Sequence, residues 1–171
     1  IGDFIRDKDA VSACAIIAEI AAWAADKGKS IYEILIDIYL EYGFYKESLL
    51  SIVRKGMTGA EEIQQMMTNF RENPPKSING SPVVTIKDFD LQIEKDLKEG
   101  KELAIEMPKS NVLQFFTEDG SKISMRPSGT EPKIKFYCSV KEELGSKEDF
   151  EKVNDQLDAK LEALIDDLGV K

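Results

Sequence analysis

The sequence has no histidine. That removes imidazole acid/base catalysis, the Ser-His-Asp and Cys-His nucleophile pairs, and every histidine-ligated metal. Any proton transfer on this chain falls to Lys, Asp, Glu or Tyr. Cysteine is almost as scarce: Cys14 and Cys138 stand far apart, outside any CxxC pair. A disulfide framework and a zinc site are therefore not expected, and the pattern fits reducing cytosol. Positive charge is also short, with 23 Lys+Arg against 32 Asp+Glu. A chain whose main task is to grip nucleic acid or an anionic membrane needs a broad basic face, so neither partner is expected. Long apolar runs are missing too. The Ala-rich run from Ala10 to Ala25 is interrupted by Ser12 and Glu19 and falls short of the ~20 residues of a spanning helix, so it reads as a buried helix. No initiator Met and no signal-peptide pattern open the chain, which suggests that it was cut from something longer.

What is present begins with helices. Residues from about Asp9 to Asp26 are apolar nearly all round, as in a helix packed on more than one side, and Gly28 stops it. Ser30-x-x-Glu33 is a capping box that opens a second helix with Ile31, Leu35, Ile38 and Tyr39 at helical period, closed by Gly43. Phe44 to Arg54 is compatible with a strand. Thr58-x-x-Glu61 reads as another capping box, for a helix running to about Arg71 and ended by Pro74-Pro75. Ser77 to Phe89 reads as one strand, and the charged stretch from Leu91 to Pro108 as a variable loop or short helix. Val112–Thr117 and Lys122–Arg126 flank Glu118-Asp119-Gly120-Ser121, a hairpin signal. A strand of strict alternation follows, with Ile134, Phe136, Cys138 and Val140 on one face and Lys133, Lys135, Tyr137 and Ser139 on the other. A helix from near Ser146 carries Phe150, Val153, Leu157, Leu161, Leu164, Ile165 and Leu168 on one side, and Gly169 ends it. From Phe44 onward the class is α+β, an antiparallel sheet with helices on one face.

The segment that carries chemistry is Arg126-Pro127-Ser128-Gly129-Thr130-Glu131-Pro132. Arg126 presents a planar fork of donors suited to a phosphate, and Ser128 and Thr130 add two hydroxyls. Gly129 between them lets the backbone turn so that successive N–H groups can face one anion. Lys135 adds a second charge, and four basic residues (Lys122, Arg126, Lys133, Lys135) gather around this turn of an acidic protein. An ordinary Pro-Ser-Gly turn beside a solvated Arg is the competing reading. No Gly-Lys-Ser/Thr follows, so the loop is not a nucleoside-triphosphate P-loop.

The run Arg-Pro-Ser-Gly-Thr-Glu-Pro-Lys-Ile-Lys-Phe-Tyr at 126–137 resembles the C-terminal phosphate-binding loop of the α-D-phosphohexomutases, which include phosphoglucomutase, phosphomannomutase and phosphoglucosamine mutase. Asp3-Phe4-Ile5-Arg6-Asp7-Lys8-Asp9-Ala10 resembles the segment after that family's third-domain sugar loop, and Pro108-Lys109-Ser110 fits the phosphoglucomutase branch. The resemblance implies residues 1–43 as a helical remnant of the sugar-binding third α/β domain, and 44–171 as a TATA-binding-protein-like phosphate-binding domain. It implies an intramolecular phosphotransferase, moving phosphate between C1 and C6 of a hexose through a phosphoserine and a bisphosphorylated sugar. Mg²⁺ and a glucose 1,6-bisphosphate-type activator are implied for the parent enzyme. Carried over residue by residue, Arg126, Ser128, Gly129, Thr130 and Lys135 bind the phosphate of a phosphosugar substrate.

Lys8 falls where phosphoglucomutases place a Lys near the substrate, as an acid/base group or hydroxyl contact. Arg6-Asp7-Lys8-Asp9 can equally be a helix start with Asp9 favoured by the dipole. No Ser-His-Asn segment and no Asp-Gly-Asp metal loop occur, and Asp88/Asp90 and Asp166/Asp167 read as solvated surface, so no metal ligand is assigned. The fragment alone is expected to be inactive, and its uncovered N-terminal helices to favour self-association. A phosphopentose-specific parent and a non-catalytic phosphate-binding module remain the alternatives.

Overall fold

The computed structural model describes residues 8–56 and 58–170, which fall into two compact units. The first takes the described residues up to Phe44 together with Glu143–Phe150. Its helix α1 (Ala10–Asp26) starts at Asp9, whose carboxylate accepts the N–H of Ser12 at 3.0 Å. Helix α2 (Ile31–Tyr42) opens on the Ser30/Glu33 capping box, both halves formed, and closes at Gly43. Within this unit Tyr39, Phe44 and Phe150 stack, with Tyr32 edge-on to Phe150, and Asp37 is held by Lys29 and Lys147. The expected burial of α1 is not seen. Ala24 is its one buried residue, while Val11 is 82% and Ile17 55% exposed. An all-round apolar helix needs neighbours on several sides, and within its unit α1 meets α2.

The second unit is an antiparallel sheet with helices. Its strands, among the described residues, are β1 (Phe44–Val53), β2 (Ser77–Ile78), β3 (Ser81–Asp88), β4 (Ile93–Asp96), β5 (Lys101–Ala104), β6 (Leu113–Thr117), β7 (Lys122–Pro127) and β8 (Lys133–Glu142). Their order is β1-β8-β7-β6-β3-β4-β5, with β2 paired on β3. The strict alternation of β8 sorts its side chains: Ile134, Phe136 and Val140 are fully buried and Cys138 nearly so. Register continues that apolar face across the sheet, since Phe136 pairs with Met125, Met125 with Leu113, and Ile123 with Phe115. Helix α3 (Gly59–Glu72) lays Phe70 against Phe115 and Phe136, with ring centroids 6.1 and 6.3 Å apart. Helix α4 (Phe150–Asp167), preceded by a 3₁₀ turn at Lys147–Asp149, buries Val153, Leu157, Leu161 and Leu164, the i, i+4, i+8, i+11 stripe its sequence displays. Each such side chain contributes roughly 1.5–3 kcal/mol on burial.

Three local expectations differ from what forms. Thr58 makes no cap to the backbone, and its hydroxyl donates instead to Glu62 at 3.0 Å, one turn further along α3. Ser77–Phe89 is interrupted by Asn79-Gly80, both at positive φ, which turn β2 back on β3 as a tight hairpin. Residues 91–108 contain the hairpin β4–β5 rather than a loop or helix. Asp88 is not solvated surface either. It is 6% exposed, takes Arg71 Nε at 2.8 Å, and accepts the N–H groups of Asp90 and Leu91.

The β6–β7 turn is fastened to α4 by charge. Gly120 takes φ +82 there, and Asp119 accepts from the Thr117 hydroxyl at 2.5 Å, from Ser121 N and Oγ at 3.1 Å, and from Lys160 Nζ at 2.9 Å. Partial burial pushes the Asp119 carboxyl up, but the Thr117, Lys160 and Ser121 donors outweigh it and hold it well below the ordinary carboxylate range. A depressed native pKa stabilises the fold above the unfolded value near 3.8 and the benefit is lost as pH falls through the native one. D119N is therefore expected to cost about 1 kcal/mol at pH 7, discounted for partial exposure. The gap to the wild type should close below about pH 4 in urea melts across pH. A D119N deficit of the same size at pH 2.5 and pH 7 would contradict this.

Candidate functional site

The recess around the Arg126–Pro132 loop is built by one β-ladder. In the antiparallel pairing of β7 with β8, Arg126 lies directly opposite Lys135 and Pro127 opposite Ile134. Opposed residues share a face, so the guanidinium and the ammonium emerge together on the side away from the helices. Beyond this pair the chain leaves the ladder at Ser128, whose N–H still donates to Lys133 O at 2.8 Å and closes the neck of the loop. At the other end, Pro132 O accepts the N–H of Arg54 at 2.9 Å, just past β1.

Arg126, Pro127, Ser128, Gly129, Lys133, Lys135 and Tyr137 line a cavity of about 230 Å³. Four of the five residues the sequence marks for phosphate, Arg126, Ser128, Gly129 and Lys135, meet here. Thr130 lies in the same loop but does not line the cavity. Its N–H and that of Glu131 both point to Ser128 Oγ, at 3.4 and 3.3 Å, so two successive amides already converge on one oxygen. Lys133 brings a third cation, ion-paired to Glu131. That Lys133 contact, with Lys135 behind it, holds the Glu131 carboxyl below its usual range.

The expected cluster of four basic residues is a cluster of three. Lys122 stands four residues from Arg126 along β7, about 13 Å away at strand rise. It lines a separate groove of about 450 Å³ with Glu47, Leu49, Ser124, Tyr137 and Ser139. Two neighbours of the recess were not singled out from sequence. Tyr137 sits two residues after Lys135, at strand period, and Glu131 two before Lys133; both spacings were visible. Gly129 does not supply a turn that only glycine could make. It has no left-handed φ, and a Cβ built on it meets nothing within 4 Å. Its service to the recess is empty space.

Lys8 is exposed, directly before the Asp9 cap, in the first unit. The Asp3–Asp7 part of that motif lies outside the described residues. The recess offers cations, hydroxyls and amides but no group poised as a nucleophile. The one thiol nearby in sequence, Cys138, points to the helix side, and burial pushes it up to about 11. Three acidic or thiol side chains converge nowhere among the described residues to hold a metal. No described helix is long and apolar enough to cross a membrane.

Residues 81–160 match the family model described as phosphoglucomutase/phosphomannomutase, C-terminal domain. A phosphoglucomutase of Staphylococcus aureus (strain MRSA252) is 39% identical over 138 residues, covering 81% of this chain and 25% of that protein. The Staphylococcus haemolyticus phosphoglucomutase is 35% identical over the same length and shares. The chain thus spans about a quarter of the curated relatives it matches. A solved structure, the open form of the exocytosis-sensitive phosphoprotein parafusin (a phosphoglucomutase) from Paramecium, covers 84% of this chain and 24% of that one at 18% identity and a TM-score of 0.47.

If Gly129 serves as space rather than as a hinge, G129A leaves stability within about 0.5 kcal/mol of wild type. Its methyl should nevertheless obstruct an anion, weakening phosphate binding about 3-fold, a difference of roughly 0.6 kcal/mol. Chemical denaturation and a phosphate titration on the same sample separate the two. A destabilised G129A with unchanged anion affinity would reverse the assignment.

Proposed function

We propose, for a chain that belongs to the phosphoglucomutase/phosphomannomutase family, that the recess of Arg126, Ser128, Gly129 and Lys135 holds the phosphate of a phosphosugar, with Thr130 completing the loop. The observation that carries the reading is the cross-strand pair Arg126–Lys135 at the mouth of a loop whose amides converge on one point. A forked guanidinium, an ammonium and preset N–H donors match a tetrahedral dianion. Most of these donors are solvated, so the grip is shallow and reversible.

In the whole protein we assign this grip to a hexose-phosphate mutase that interconverts hexose 1-phosphate and hexose 6-phosphate through a bisphosphorylated sugar and a phosphoserine. Glucose or mannose phosphates are the substrates, and the setting is cytoplasmic. The division into a sugar-domain remnant (1–43) and a phosphate-binding domain (44–171) belongs to the same proposal. So does Lys8, as a substrate contact. Mg²⁺ finds no ligand set among the described residues. Binding and orienting the phosphate is the part these residues can perform, and a bisphosphate activator would use the same donors.

The apolar surface of α1 and α2 supports a further assignment. Val11, Ile17, Trp23, Tyr32 and Ile38 are each close to half exposed or more, and such a surface favours association between copies of this chain. Sedimentation at tens of micromolar is expected to show dimers or larger species, which a V11S/I17S variant dissociates. A monomer throughout that range contradicts it.

The binding reading is tested by titrating the ¹⁵N-labelled chain with inorganic phosphate. Amide shifts are expected between Arg126 and Lys135, with affinity rising as pH passes through the second ionisation of inorganic phosphate, because the dianion meets the cations more strongly than the monoanion. R126Q should weaken binding about 10-fold, near 1.4 kcal/mol. Turnover of glucose 1-phosphate by the 171-residue chain is expected to be zero. Shifts confined to residues outside 126–135, or turnover by the chain alone, would refute the corresponding part.

A further inference from the structure

The loop carries its own anion. Glu131 is exposed and does not line the recess, yet its carboxylate is ion-paired with Lys133, which does. The backbone builds this pairing in. Lys133 N donates to Glu131 O at 2.7 Å, a three-residue turn that keeps the two side chains within reach of each other. The rest of the loop is satisfied in the same provisional way, with Ser128 Oγ standing where the Thr130 and Glu131 amides converge.

Charge gives the arrangement a meaning. Arg126, Lys133 and Lys135 bring three positive charges to the recess, and Glu131 offsets one of them. The two left over match a phosphate monoester, which carries about −1.5 to −2 near neutrality. Resting on the phosphate reading above, we propose that Glu131 is a built-in competitor for Lys133. It occupies that ammonium when the recess is empty and must yield it, wholly or in part, to the incoming phosphate. Glu131 is thus an affinity-setting residue, not a catalytic one. It keeps the grip weak enough for a phosphosugar to leave and re-enter, which a reaction with a reorienting intermediate requires.

Because both partners are partly solvated, with side-chain exposures of 59% for Glu131 and 32% for Lys133, the competition is modest. E131Q should tighten inorganic phosphate binding about two- to fivefold, the size of an exposed ion pair. E131D should retain wild-type affinity. K133Q should weaken binding, and in the K133Q background E131Q should bring no gain beyond about 1.5-fold.

Isothermal titration of the full chain and these variants with inorganic phosphate reads all four. The amide spectrum outside residues 126–135 reports whether each variant keeps its fold. An E131Q affinity equal to or below wild type overturns the proposal, and so does an equal gain with Lys133 removed. R126Q separates this from the reading beneath it. If R126Q weakens binding about 10-fold while E131Q changes nothing, the competitor alone is wrong. If R126Q leaves binding intact, the phosphate site itself is wrong and the competitor falls with it.

Discussion

The recess at Arg126 depends on the register between β7 and β8. Six consecutive pairs, from Lys122 opposite Ser139 to Pro127 opposite Ile134, fix which side chains share a face. Side chains alternate along a strand, so a slip of one residue would bury Arg126 and Lys135 among helices and expose Phe136 and Met125. That slip is prevented from the apolar side. Ile123, Met125, Ile134 and Phe136 are all fully buried, and losing them would cost several kcal/mol each. The packed face therefore sets the geometry of the charged one. Tethers at both ends of the loop, Ser128 N to Lys133 O and Arg54 N to Pro132 O, extend that order into a segment with no ladder of its own.

The recess shows how a protein with an excess of acidic residues can still gather cations in one place. Cation and anion are sorted locally, by strand alternation, and not by net charge. Charge elsewhere on the chain does structural work. Arg71 and Asp88 join α3 to the sheet, with Asn111 taking the other arm of the guanidinium at 2.7 Å. Asp119 fastens a turn to α4. In both places each oxygen has a donor, which is what makes partial burial of a carboxylate tolerable. The recess differs because its cations are partly solvated and outnumber their carboxylate partner.

How much of this was legible in the sequence follows from how local each signal is. The alternation of 133–140 and the stripe of α4 translate directly, because burial on one face is all that either pattern encodes. Ser30/Glu33 formed its box and Thr58/Glu61 did not, although the letters match. A cap needs the backbone at its first residue to be extended, and Thr58 adopts helical φ and ψ. The hairpin β4–β5 was illegible because all four residues of β5 are exposed and carry no alternation. Asp88 looked solvated because its partner, Arg71, lies 17 residues away and no spacing rule links them. At the recess, the donors were legible in their types, but the Glu131–Lys133 pairing needed coordinates. The empty space at Gly129 did too.

The central claim is that an anion sits between Arg126 and Lys135, over the loop. The most direct measurement is a crystal of this chain soaked in selenate, with the anion located by its anomalous scattering. A peak within hydrogen-bond distance of the Arg126 guanidinium and Lys135 Nζ, lost in R126Q crystals, is the result expected. A peak seated elsewhere, with the Arg126–Lys135 recess holding none at saturating selenate, would contradict the account.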